Sequence, residues 1–455
     1  MIQLIAASSY FQLVSLAAMA DAGLLPDADR RVLVLANGSQ MPEITLPLHR
    51  SPGFAALAAR FDAVVDLAAL LWPLTPRQFN PRTEELPLLE RLMRTTWDLG
   101  SGEVSLVLES IQANPARALA RVFANAPLSV HSDGLMSYGP TRSRLPLHML
   151  QRLEGTIHID LVPGLEPLLL AEADPRRRTL SGGELAAGFK ELARHVSDPH
   201  LPGPRTAALV LGQYLGSLGI LDTARELALH REMLAAARDA GATAVVFKPH
   251  PSAGPTAAHL LHSHATELGL EFMILQTPLL AETVIALMDP VVVISCFSTA
   301  LVTAKYVLGV PVLAVGTTML LQELAPYQNS NRIPLSIVDA LLVQGLEPPA
   351  LDADHQDQLP ALLGAVAFCM QPDNLPGLRA DAAKFLATGY PRFSAHFKTK
   401  RLAALDLPPA WAHPSPRTRG THVGRGITRR LRRAGAAALE QLARTAQKAA
   451  RHVSN

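Results

Sequence analysis

Cysteine is almost missing from this 455-residue chain, which has only Cys296 and Cys369. Two thiols exclude a disulfide framework and a paired-cysteine metal site, and they fit a reducing compartment. Aromatic residues make up 5%, so basic charge here has no aromatic platform for stacking nucleic-acid bases. Lysine is scarce, 7 against 34 arginines. With that bias of composition an isolated arginine carries little information. No run of eighteen apolar residues occurs, so no membrane-spanning helix is expected. The first strand is expected from Ile2, which leaves no room for a basic segment followed by a signal-type apolar stretch, and a cytoplasmic location is expected. No Gly-x-Gly-x-x-Gly follows a strand, no Walker loop is present, and no Asp-x-Asp pair is suited to a divalent metal. The 16 histidines do not cluster at ligand spacings. Neither a cofactor nor a metal is expected.

What is present is a globular composition, 49% apolar and 18% charged. The length exceeds one hydrophobic core, so two domains are expected. Net charge is +2 but unevenly spread. Residues 401–455 hold 11 Lys or Arg against Asp406 and Glu440, a tail of +9 on a body of −7. In 427–453, Ile427, Leu431, Leu439, Leu442, Ala446 and Val453 fall roughly along one helical face, with most arginines elsewhere. A basic amphipathic helix against an anionic membrane surface and a solvated tail are both open readings.

Apolar runs alternate with helical spacing along the body. Strands are expected at 1–7, 31–37, 61–67, 104–110, 127–134 and 156–164, with helices at 10–22, 84–98 and 114–124. A Pro/Gly-rich linker is expected at 197–206. The rhythm then restarts, with strands at 207–215, 243–248, 270–275, 291–295 and 310–316. Helices are expected between them at 222–240, 255–268, 279–287 and 298–308. Strands without alternation, separated by helices, imply parallel sheets covered on both faces. The expected architecture is α/β, with two doubly wound parallel-sheet domains, 1–200 and 201–400, facing a cleft, and a basic tail from 401. Ligands in such sheets bind beyond the carboxyl ends of the strands.

Three short motifs fall at those ends. Lys248-Pro249-His250-Pro251 follows a strand, and two prolines hold the backbone of His250. An imidazole there can donate to a phosphate or protonate a leaving oxygen. Lys248 is either a phosphate contact or a strand-end lysine. Ser298 and Thr299 stand where the next helix begins, where free amides and hydroxyls receive an anion or simply cap the helix. In the first half, Asp133 precedes Gly134, and the choice is between a general base and a turn aspartate. Gly134 leaves space for a close sugar. Glu282 begins a helix, where it bonds a ribose or favours the helix N-terminus. Gln12 contacts the ligand or packs.

These motifs, in this order, resemble bacterial sialyltransferases of GT-B architecture, above all the α-2,8-polysialyltransferase-like family. Such enzymes carry an acidic-acidic-Gly motif, then a His-Pro motif, then Ser-Ser or Ser-Thr. Here they are Ser132-Asp133-Gly134, His250-Pro251 and Ser298-Thr299. The opening IQLIAASSYFQLVSLAAMADAG, with Gln12 and Gly23, is also similar. The resemblance spans roughly residues 1–330. It implies an inverting, metal-independent transfer of sialic acid from CMP-sialic acid to a glycan hydroxyl, of the kind used for capsule or surface polysaccharide. In it, Asp133 is the base, His250 assists departure of CMP, and Lys248, Pro251, Glu282, Ser298 and Thr299 hold the nucleotide. Ser132 departs from the family pattern, since the first acidic position is a hydroxyl.

Two rival readings stand beside this one. CDP-glycerol glycerophosphotransferases also carry a His-Pro and a serine motif on a GT-B frame, and His131 is the sole candidate for the second histidine motif they use. The missing carboxylate at Ser132 points to a catalytically inactive nucleotide- or glycan-binding protein instead.

Overall fold

The computed structural model describes residues 1–37, 46–196, 201, 207–250, 256–352, 354–355 and 357–409. Its first sheet has seven strands: β1 (Ile2–Ala7), β2 (Arg30–Leu35), β3 (Ala63–Asp66), β4 (Val104–Glu109), β5 (Leu128–His131), β6 (Leu153–Ile159) and β7 (Arg176–Leu180). Their order is β3-β2-β1-β4-β5-β6-β7, and every pair is parallel. The second sheet has β8 (Ala207–Leu211), β9 (Ala244–Lys248), β10 (Glu271–Ile274), β11 (Val293–Ser295) and β12 (Val312–Ala314) in the order β10-β9-β8-β11-β12. It too is parallel throughout. Each sheet reverses its winding beside its first strand, between β1 and β4 and between β8 and β11. A crevice for ligand opens at such a switch point.

The central strands carry apolar runs because both faces are covered: β8, AALVL, is buried at every position. β7 has a different composition. Its sequence is RRRTL, at the sheet edge, with four of its five side chains at least partly exposed. Charged side chains on an edge strand discourage pairing with another chain. They also hide the strand from a search for apolar runs, so the first half does not close at 156–164. The helix Gly182–Arg194 follows at once, begun by a capping box in which the Ser181 hydroxyl and the Glu184 carboxylate satisfy each other's backbone N–H groups.

That helix sets the two domains against each other. It packs both on the helix Tyr10–Asp21 of the first domain and on Ala281–Met288 of the second. Gly188 faces Val14 and Ala18 closely, and Phe189 and Leu192 are fully buried. One hydrophobic core therefore runs from the first domain into the second, while a separate core fills the other face of the first sheet. The chain later returns to the first domain. The Ala350 N–H donates to Pro163 O at 3.0 Å, and Asn374 Nδ2 donates to Thr141 O at 2.8 Å.

The folded body continues past residue 401. The helix Thr399–Leu405 buries Leu402, and Leu407 is buried after it. The tail as read from charge thus begins too early. The rest of it, with the amphipathic pattern at 427–453, lies outside the described residues, as does nearly all of the expected linker at 197–206. Among the described residues, no helix is long and apolar enough to cross a membrane.

Candidate functional site

A cavity of about 530 Å³ opens between the carboxyl ends of the two sheets. Asp133, Gly134 and Glu109 line it from the first domain. His250, Glu282, Ser298 and Thr299 line it from the second. The three motifs separated in sequence therefore meet in one space.

Asp133 follows β5 and is surrounded by apolar and acidic neighbours. Burial, then the charge of Glu109, push its carboxyl up to about 6, against the pull of His131 and a hydrogen bond from Gln12. A carboxylate in that range is mostly ionised at neutral pH yet basic enough to take a proton. Glu109 is the last residue of β4 and lies in register with His131 on β5. Burial raises its carboxyl, opposed by Gln12, Ser8 and the Arg142 charge. His131 Nε2 stands 2.9 Å from Ala6 O. A carbonyl only accepts, so Nε2 carries the proton and His131 ties β5 to β1.

Gln12 organises this acidic wall from behind. Its Oε1 accepts from the Ser8 N–H at 2.7 Å and faces the Ser8 hydroxyl at 3.0 Å. The same side chain pulls the Glu109 and Asp133 carboxyls down, against their burial. The Ser8 hydroxyl also lies 3.3 Å from Glu109 Oε2, and its one proton serves either acceptor. Gln12 lines a second cavity of about 210 Å³, not the main one. The two cavities share Glu109 and Ser110. Ser110 has φ 44, a left-handed backbone that costs a non-glycine residue and concentrates at functional sites.

On the opposite wall, the imidazole of His250 lies against the Tyr214 ring, with centroids 4.0 Å apart at 33°. Burial, and then the charge of Lys248, bring its pKa down to about 4. His250 is therefore neutral near pH 7, and its ring presents one N–H donor and one acceptor nitrogen instead of a positive charge. Lys248 itself does not line the cavity. It is buried, with Nζ 3.4 Å from Thr277 O, and burial lowers its pKa. Glu282 lines the cavity from a buried position, and desolvation lifts it to about 7. Pro251 lies outside the described residues.

Ser298 caps the helix Thr299–Val302, which continues as a π-turn through Thr303–Val307. Ser298 Oγ accepts from the Ala300 N–H at 3.2 Å, so its own proton is available to an anion. Gly134 approaches protein here. It has φ +64, and a Cβ on it would stand 3.2 Å from Thr299 Oγ1. The Leu135 N–H donates to that same oxygen at 3.5 Å. This glycine lines the cavity and also lets the first domain touch the second.

Tyr214 and Glu109 are among the lining residues that the sequence does not single out. Tyr214 was read inside a strand at 207–215, but β8 stops at Leu211. The Phe247 ring fills the space beside Gly212, 2.7 Å from where a Cβ would stand; the Gly212 N–H still donates to Lys248 O at 2.9 Å, and Tyr214 lies beyond that bond, outside the strand. Glu109 was read as an ordinary strand end. Its place at a carboxyl terminus was a usable signal, but its nearness to Asp133 depends on strand pairing. Cys296 is packing: its Sγ–H donates to Gln213 Oε1 at 2.8 Å, and burial pushes its thiol up to about 12. Among the described residues no group of three or more His, Cys, Asp or Glu is placed to hold a metal.

Two doubly wound domains that face each other across one cleft form the GT-B architecture of glycosyltransferases. The model of the family described as α-2,8-polysialyltransferase matches residues 3–317, and the chain belongs to that family. No curated protein matches it. Among solved structures, UDP-N-acetylglucosamine 2-epimerase from Rickettsia bellii is 14% identical, over 70% of this chain and 81% of that one, with TM-score 0.41. MurG of Acinetobacter baumannii is 10% identical over 83% and 98%, with TM-score 0.35. The E. coli heptosyltransferase WaaC with ADP is 15% identical over 69% and 87%, with TM-score 0.33.

Proposed function

We propose that this glycosyltransferase moves sialic acid, or a related nonulosonic acid, from a CMP donor to a glycan hydroxyl, with inversion and without a metal. The observation that carries the reading is the placement of Asp133 and His250 on opposite walls of one cavity. Asp133 takes the proton of the acceptor hydroxyl. That oxygen attacks the anomeric carbon, and the bond from this carbon to the CMP phosphate breaks. A base on one wall and a leaving group on the other favour attack from the far side, which inverts the centre in a single displacement. The departing phosphate gains charge, which His250 and the Ser298 hydroxyl stabilise as donors. A monophosphate leaving group needs no metal clamp. Neutral His250 suits donation, since it loses no charge in the step. Glu282, raised to about 7, is in reach of a ribose from the nucleotide side.

Calorimetry with CMP, CDP-glycerol and UDP tests the donor class. CMP binding that weakens in His250→Ala supports the reading, together with CMP release that Asp133→Asn lowers about 10²- to 10⁴-fold. Tighter binding of CDP-glycerol moves the assignment to glycerophosphate transfer. Intact CMP binding with no release in the natural chain makes it a binding protein. We also infer a cytoplasmic enzyme that acts in capsule or surface polysaccharide synthesis, held weakly at an anionic membrane by its +9 tail. Equal vesicle partitioning by the full chain and a 1–410 truncation would remove the membrane part.

A further inference from the structure

The family pattern places two acidic residues side by side before the glycine, and this chain has Ser132 at the first. Ser132 is buried and its N–H donates to Ile157 O at 3.0 Å, so it serves the strand edge. A second carboxyl nevertheless reaches the site from another strand. Glu109 ends β4, pairs in register with His131 two residues before Asp133, and lines the main cavity beside Asp133. Ser8 links this carboxyl to Gln12: its N–H donates to Gln12 Oε1 at 2.7 Å, and its hydroxyl lies 3.3 Å from Glu109 Oε2. We propose that Glu109 is a positioning residue for Asp133, supplying from β4 the second carboxyl that Ser132 leaves out of the Ser132-Asp133-Gly134 tripeptide.

The proposal rests on the reading of Asp133 as the base. The Glu109 charge raises the Asp133 carboxyl, because like charges close together resist ionising at once. Removing Glu109 therefore makes Asp133 a weaker base. Several titratable groups face the pair. His131 lies beside Asp133 on β5, Arg142 acts on Glu109 from the main cavity, Arg77 shares the second cavity with Glu109, and His250 and Glu282 line the main cavity from the other domain. Ser8 and Gln12 supply the neutral contacts. Glu109 also stands at the junction of the two cavities, where it touches both the reaction space and its extension.

The test compares Glu109→Gln with the natural chain by two readouts. The first is the acid limb of kcat/KM for CMP release. The second is direct titration of Asp133 by carbon-13 NMR on chain labelled at the aspartate carboxyl, with Asp133→Asn to assign the signal. Asp133 is expected to titrate at about 6 in the natural chain. In Glu109→Gln both its signal and the acid limb are expected to move at least about half a pH unit toward acid. Thermal unfolding confirms that the variant is folded; if it is not, Glu109→Asp, which keeps the charge and shortens the arm, is expected to retain the natural titration of Asp133 while lowering kcat. An Asp133 signal unmoved in folded Glu109→Gln overturns the proposal, as does full transfer by Asp133→Asn with none by Glu109→Gln. A shifted signal with no release from any CMP donor upholds the carboxyl pair and overturns only the donor reading.

Discussion

Thr299 of the second domain stands against Gly134 of the first, with its Oγ1 3.2 Å from the point where Gly134 would carry a Cβ. The motif that begins a helix in one sheet and the motif that ends a strand in the other are in direct contact. The two walls of the cavity meet at that contact.

Gly134→Ala tests it. The backbone there, φ 64 and ψ −175, belongs to a region that essentially only glycine adopts, and the added methyl meets the Thr299 side chain. The expected result is a stability loss of about 1–3 kcal/mol and a lower kcat/KM. Nucleotide binding is expected to weaken less than kcat/KM, because among the proposed nucleotide contacts the methyl meets Thr299 and not His250 or Glu282. Denaturant unfolding and CMP calorimetry measure both. Undiminished kcat/KM in the variant would show that the close approach is incidental.

His250 is argued to act as a neutral donor. His250→Gln keeps an N–H near the same place, whereas His250→Phe keeps only the packing against Tyr214. The glutamine variant is expected to retain several-fold more CMP affinity than phenylalanine, since a charge-assisted hydrogen bond is worth about 1.5–3 kcal/mol. Equal losses in the two variants would assign His250 to ring packing.

His230 offers a test of the electrostatics away from the cavity. It is buried in the helix Thr223–Asp239, edge-on to Phe247 at 5.3 Å, and its Nε2 has no hydrogen-bond partner. Burial lowers its pKa to about 4 from an ordinary 6.5. Between those values the unfolded chain binds the proton and the folded chain does not, so stability falls as pH drops from about 6.5 toward 4. His230→Leu removes that loss. Its melting temperature relative to the natural chain is expected to rise progressively over this window on acidification. A constant difference from pH 7 to pH 4 would contradict the assignment.

Much of the fold was legible in the sequence because buried parallel strands must be apolar on both faces. The runs at 207–211 and 244–248 announce themselves for that reason. β7 did not, because an edge strand tolerates three arginines. The helix after it begins with two glycines, and its capping box at Ser181 and Glu184 was the available signal.

The candidate site divides in the same way. Asp133, His250, Ser298 and Thr299 were found because each sits where a strand gives way to a turn or helix, and topology sends such places to one sheet edge. Glu109 and Tyr214 depended on particulars of packing. Glu109 becomes Asp133's neighbour only through the pairing of β4 with β5, and Tyr214 lies beyond the end of β8, where the folded chain brings its ring against His250. Lys248 shows the converse, since its place beside His250 in the chain turns it into the protein, toward Thr277.

By itself the sequence determined the alternation of strands and helices, the two-domain plan and the family motifs, because these depend on local pattern and on the period of apolar residues. Which carboxyls share a proton environment, which histidines stay neutral and what Gly134 touches were decided by the tertiary structure. Those properties arise from burial and from contacts between residues far apart in the chain, and no local pattern encodes them.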